Sequence, residues 1–132
     1  GINWLIVHQH ASGGWGETAP AHLEDMHFYV ADLNSTQSAW ALSAMVASGL
    51  SLDPAALRAV RFLLDSQAEN GQWHDVRPVQ RDHELGRWYR DDLRAIADPL
   101  LALSQWAVAA AASHSGEVHP VKLRLIGSLV DD

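Results

Sequence analysis

The chain contains no cysteine. That excludes a disulfide framework, a thiolate zinc site, an iron–sulfur cluster and a thiol nucleophile. Basic residues are few: nine Lys and Arg stand against sixteen Asp and Glu, a net charge of −7. A surface this acidic argues against nucleic acid or an anionic membrane as the principal partner. Long apolar runs are missing too. The longest, 99–112, is interrupted by Ser104 and Gln105 and is too short to span a bilayer. No secretory signal opens the sequence, so the cytoplasm is the expected compartment. With 132 residues there is room for one core and not for two. Apolar residues at 48% against charged residues at 19% mark a globular chain rather than a disordered one.

What is present is an internal repeat. Gly1, Trp4, Leu5, Gln9, Gly13 and Trp15 recur 58 residues later as Ala59, Phe62, Leu63, Gln67, Gly71 and Trp73. Six matched positions within fifteen residues, one of them the tryptophan pair Trp15 and Trp73, exceed what composition supplies. A unit of this length holds two helices and their turns, the size of a helical-hairpin repeat.

Two kinds of helix fill the repeat. Asp53-Pro54 reads as an N-cap followed by proline in the first turn. In the helix it opens, Arg58, Arg61 and Asp65 form a charged stripe and Leu57, Val60, Leu63 and Leu64 an apolar one. The stretch 36–48 carries no charge and is apolar on several sides; Asn34 or Ser35 would cap it and Gly49 would end it. The stretch 99–112 is similarly apolar around its circumference. Helices without a wet face must be enclosed by others. Amphipathic outer helices alternating with covered inner ones give an all-α fold, an α/α toroid or solenoid of hairpins. The residues 81–94, with four Arg, the carboxylates Asp82, Glu84, Asp91 and Asp92, His83, Trp88 and Tyr89, read as a further helix. Charge pairing is expected there between Arg87 and Asp91 and on the Arg90–Arg94 side.

The motif small-x-x-aromatic-Leu-x-x-x-Gln-x-x-x-Gly-x-Trp resembles the QW motif of squalene–hopene and oxidosqualene cyclases. Gly14-Trp15-Gly16-Glu17, Thr36 through Leu42 and Asp98 through Leu103 are similar to further segments of that family, in the same order. The resemblance covers residues 1–110 and implies the last part of an (α/α)6 barrel, here a domain over 1–112 with a tail over 113–132. The physical expectation for Gln9, Gly13, Trp15, Gln67, Gly71 and Trp73 is a structural brace. The Gln amide bonds backbone groups at a helix end, Gly permits positive φ, and Trp covers the junction.

The resemblance implies an isoprenoid cyclase of class II, an isomerase or lyase, that starts by protonating its substrate. The acid is an Asp-x-Asp-Asp motif, in which clustered carboxyls keep one protonated. The chain has none; its adjacent acidic pairs are Glu24-Asp25, Asp91-Asp92 and Asp131-Asp132. Its expected part is therefore cavity wall, with the acid supplied from elsewhere. The family lines that cavity with rings that stabilise carbocations. Laid without a gap, those positions fall on His83, Arg87, Asp91 and Arg94, while Trp88 and Tyr89 supply the rings of this stretch. Substrates consistent with this set are a polyprenyl chain, or an isoprenoid diphosphate held by Arg87, Arg90 and Arg94. The other functional class is a non-catalytic ligand-binding or scaffold domain on the same fold.

No cofactor and no metal are expected: the eight histidines make no His-Glu-x-x-His or similar set. Phe28 and Tyr29, in the loop 18–34, are expected in the core. A toroid needs about six hairpins and this chain supplies roughly two and a half, so apolar faces are left for a partner. The expected partner is the rest of the barrel, from another chain or a second copy. Peripheral membrane contact is open through the resemblance alone. The tail, with Pro120 and the alternation from Val121 to Leu125, either wraps over an open face or forms a flexible end.

Overall fold

The computed structural model describes residues 1–16, 33–75, 80–82, 84, 86–89 and 91–114. Helix α1 spans Ile2–Val7, α2 Ser35–Ala47, α3 Pro54–Asp65 and α4 Asp92–His114; strands β1, Gln80–Asp82, and β2, Arg87–Tyr89, form a short antiparallel pair. The architecture is the expected all-α stack of hairpins with one small β-ribbon inserted before the last helix.

The starts of α2 and α3 follow from side chains that take up an orphan N–H. Asn34 Oδ1 accepts from Gln37 N at 2.9 Å at the head of α2, and Asp53 Oδ1 accepts from Ala55 N at 2.8 Å at the head of α3. Gly49, at φ +77°, follows the end of α2 in the left-handed conformation that its missing Cβ permits. α2 is the hub, packed along α4 and against α3, with a smaller contact to α1. Leu42, Met45, Ala39 and Ala41 of α2 meet Ala55, Ala56, Ala59, Val60 and Leu63 of α3 and Ala102 of α4. The alanines let the helices approach closely, so that Leu42, Met45 and Leu63 are fully enclosed. Each such side chain contributes about 1.5–3 kcal/mol of burial. Arg58, Arg61 and Asp65 stay in solvent, as the amphipathic pattern of α3 requires.

Two indoles tie α4 to the rest. Trp40 Nε1 donates to Asp98 Oδ2 at 2.7 Å, and Trp106 Nε1 donates to the Ser51 carbonyl at 2.9 Å.

The structure corrects the reading of 81–94 and of the last helix. Within the former, 80–82 and 87–89 pair as a β-ribbon, with Gln80 opposite Tyr89, Arg81 opposite Trp88 and Asp82 opposite Arg87, and 92–94 already belong to α4. Gly86, at φ +63°, serves the turn, and aromatic residues favour the extended strand. Charge density had suggested a salt-bridged helix. α4 begins seven residues before Pro99 and carries that proline inside it. Its buried row Ala95, Pro99, Ala102 and Ala110 keeps helical spacing through the proline, so packing against α2 offsets the lost backbone bond. With 23 residues and a mean hydropathy of 1.3 over its apolar stretch, α4 is also long and apolar enough to cross a membrane, unlike the run 99–112 considered alone. In this fold it lies along α2.

Candidate functional site

The two motif copies fold into the same latch. In each, the Gln side chain caps a short turn at the end of an outer helix: Gln9 Nε2 donates to the Gly13 carbonyl at 2.9 Å, and Gln67 Nε2 to the Gly71 carbonyl at 2.9 Å. The turn backbones match bond for bond. His10 N reaches Gly14 O and Gly13 N reaches His10 O, just as Ala68 N reaches Gln72 O and Gly71 N reaches Ala68 O. Gly13 and Gly71 lie at φ +96° and +80°. The indoles complete the set, with Trp15 Nε1 on the Leu5 carbonyl at 2.8 Å and Trp73 Nε1 on the Leu63 carbonyl at 2.7 Å.

The copies differ in what they hold. Gln9 makes a second bond from Nε2 to the Ala55 carbonyl at 2.8 Å, in the first turn of α3. Its Oε1 accepts from Arg58 Nε at 3.0 Å and Nη2 at 2.6 Å. The Trp15 backbone exchanges bonds with Ser38 Oγ and receives Asn34 N, which fixes α2 to the same latch. The first latch therefore joins three helices. Among the described residues, the Gln and Trp side chains of the second bond only its own turn and α3.

Asp75 is the residue that sequence reasoning missed. Buried at 8% exposure, its Oδ1 accepts from Ser35 N at 2.7 Å and from Ser35 Oγ. Its Oδ2 accepts from Thr36 N at 3.1 Å and Thr36 Oγ1 at 2.6 Å. One carboxylate from the second latch thus ties down the head of α2, where the helix dipole favours negative charge. The signal was available: Asp75 stands two residues after Trp73, as Glu17 stands two after Trp15. Glu17 lies outside the described residues. Replacing Asp75 by alanine is expected to lower stability by about 2–3 kcal/mol in urea denaturation, because it leaves two buried hydroxyls and two helix-head N–H groups without their acceptor.

Five of the six candidate cavity residues fall on one junction. Arg87, Trp88 and Tyr89 form β2, and Asp91 and Arg94 stand at the head of α4; His83 lies outside the described residues. Asp91 caps α4 by accepting from Arg94 N at 3.1 Å, and its Oδ2 lies 3.7 Å from Arg94 Nε. That pair joins Asp91 to the residue three ahead. Arg90 lies outside the described residues. Beside the junction is a shallow cavity of about 220 Å³ lined by Gln72, Trp73, His74, Asp75, Asp92 and Ile96. Small-molecule pockets run from about 300 Å³ upward, so this hollow is smaller than a complete site.

Three of the described histidines bond close to home: His8 to the Trp4 carbonyl, His10 with Ser12 Oγ, His114 to the Ala110 carbonyl. Among the described residues no three His, Asp or Glu side chains group as metal ligands. The loop 18–34 with His22, His27, Phe28 and Tyr29 is described only at residues 33 and 34.

Comparison with known proteins agrees with this geometry. A probable squalene–hopene cyclase of Sinorhizobium fredii is 40% identical over 77 residues, 58% of this chain and 12% of that protein. The squalene–hopene cyclase of Bradyrhizobium diazoefficiens is 38% identical over 76 residues, 57% of this chain and 12% of its own length. The dammaradiene synthase of Dryopteris crassirhizoma is 29% identical over 89 residues, 57% of this chain and 13% of its length. The chain therefore spans about an eighth of the curated relatives it matches. The squalene–hopene cyclase C-terminal domain family matches residues 1–106, the stretch that holds both latches and most of α4. This chain belongs to that family.

Proposed function

We propose that this chain supplies substrate-enclosing wall to a class II polyprenyl cyclase whose initiating acid lies outside it. The observation that carries the reading is the pair of latches inside a stretch shared with squalene–hopene cyclases. The chain has no Asp-x-Asp-Asp, and the hollow beside the junction, about 220 Å³, is too small for a polyprenyl chain. Its contribution is a curved face, with the junction of β2 and α4 as the part bearing on substrate.

A hydrocarbon polyprenyl chain fits better than a diphosphate. Arg94 already lies against Asp91, and the surface is acidic overall. Trp88 and Tyr89 provide rings whose π faces stabilise a passing cation. Squalene is the substrate class that the names of two relatives print. The partner in this reading is the remainder of the barrel.

The test is a chimera in which residues 1–106 replace the matching stretch of the Sinorhizobium fredii relative. The folded chimera is expected to cyclise squalene, and Trp88→Ala to lower its turnover about tenfold, the equivalent of about 1.4 kcal/mol of lost cation stabilisation. Arg94→Ala is expected to change it less than about twofold, as an exposed ion pair contributes little. A folded chimera without product overturns the reading. Cyclised product from this chain alone would overturn the assignment of the acid to residues outside it.

A further inference from the structure

The 58-residue repeat carries over from the latches to the two long inner helices. α2 and α4 run parallel: Trp40 stands level with Asp98, and Ser51, just beyond α2, with Trp106. Ser38 turns to the first latch, where its Oγ exchanges bonds with the Trp15 backbone. Its counterpart Ile96 turns to the hollow beside Trp73 of the second latch. A step of two residues along a helix is a rotation of about 200°. Trp40 and Asp98, themselves 58 residues apart, therefore project from the side of their helices that faces away from the latches. There they meet, with the indole Nε1 donating to Asp98 Oδ2 at 2.7 Å.

This side is apolar apart from that one charge. α2 carries no charged residue, and in α4 Asp98 is the only one between the first turn and His114 at the end. One turn further on stand Ala44 of α2, half-buried, and Leu101 of α4, 57% exposed. Trp40 is 41% exposed, on a helix whose Leu42 and Met45 are fully enclosed. Its N–H has a carboxylate as acceptor, the stronger sort of hydrogen bond, and such a bond polarises the ring that donates it. The result is an indole fixed in orientation, enriched in electrons and open along the inner helices. Tryptophan is the ring that attracts cations most strongly, and it does so over its face. Asp98 sets a full negative charge beside it. The apolar neighbours suit a hydrocarbon body, and the ring and carboxylate suit a positive charge carried on that body. Neither residue stands among the six cavity candidates.

We propose that Trp40 is a substrate-facing ring of this wall, which steadies the cationic stages of a polyprenyl chain over its π face, and that Asp98 is the positioning residue that holds and polarises it. This deepens the cyclase reading and rests on it for the identity of the cation.

The test is binding rather than turnover, so that the two can fail separately. A chimera without product would overturn the cyclase reading; a ring without cation preference would overturn only the role given to Trp40. The full chain is titrated calorimetrically with decyltrimethylammonium and with decyldimethylamine oxide, which share a tail and nearly a head size but differ in net charge. Each is kept below its micelle concentration, in mildly alkaline buffer of physiological ionic strength. The parent is expected to bind the ammonium about five- to tenfold more tightly than the amine oxide. Trp40→Leu, which leaves the net charge unchanged, is expected to bring that ratio below about twofold. Trp40→Phe keeps a ring and is expected to retain a ratio of about two- to fourfold, which also covers the case in which Trp40→Leu does not fold. Asp98→Ala is expected to lower the ratio about threefold in the parent and less than about 1.5-fold in the Trp40→Leu background, because it acts through the ring. No preference in the parent, a preference unchanged in both Trp40 variants, or equal Asp98→Ala losses in the two backgrounds overturns the proposal.

Discussion

Trp73→Ala is expected to remove about 3–5 kcal/mol of stability, read as a lower urea midpoint at unchanged slope. The indole is 2% exposed and bounded by the core of α3. Two losses combine. The ring leaves a cavity that the surrounding alanine-rich helices close only in part. The Leu63 carbonyl, one of the last in α3, also loses its Nε1 donor at 2.7 Å and is left with the Ser66 hydroxyl at 3.1 Å. Trp73→Phe separates the terms: it keeps most of the apolar volume, so its cost should fall to about 0.5–1.5 kcal/mol, the range of one neutral hydrogen bond. Near-equal costs for the two variants would show that the hydrogen bond, not the ring, closes the latch. Stabilities of small domains are about 5–15 kcal/mol, so the alanine variant sits close to the edge of folding.

Trp73 also shows which features a single sequence exposes. The latches were legible because they are duplicated: four identical residues and two of like kind at the same intervals leave little freedom for their roles. α2 and α3 were legible because their caps are local, with Asn34 and Asp53 each bonding an N–H two or three residues on. What stayed hidden depends on residues distant in sequence. Asp98-Pro99 has the letters of Asp53-Pro54, which open α3, yet Asp98 Oδ2 receives Trp40 Nε1 from across the hairpin and caps nothing. The helix instead starts at Asp91, whose carboxylate takes the Arg94 N–H. Asp75 escaped for the same reason: its four donors lie 39 and 40 residues away. The ribbon 80–89 escaped because a dense mixture of charges is compatible with helix and strand alike. The pairing across Gly86 decides between them.

The candidate cavity was legible only as a region. Arg87, Trp88, Tyr89, Asp91 and Arg94 fall on one junction in the chain's path, but Asp91 and Arg94 are first of all a cap and its neighbour. The Arg58 contact to Gln9 belonged to no motif, since it joins an outward-facing charge of one helix to the end of another. The first latch thereby fixes where α3 begins relative to α1.

Gly13→Ala tests that coupling directly and is expected to cost about 3–5 kcal/mol. The left-handed backbone at φ +96° charges an L-residue about 1–2 kcal/mol, and forcing extra atoms into a packed junction adds about 1–3 kcal/mol. The obstacle is backbone rather than a mobile side chain: the new Cβ would lie 2.2 Å from the Arg58 carbonyl oxygen and 2.6 Å from its carbon. Relief therefore requires α3 to move, and with it the Gln9–Ala55 bond. Gly71→Ala carries the same conformational penalty at φ +80° but meets open space within the described fold, which by itself is worth only about 1–2 kcal/mol. In parallel urea titrations Gly71→Ala is therefore expected to lose clearly less stability than Gly13→Ala. Equal losses would show that the backbone conformation, and not the approach to Arg58, sets the cost at Gly13.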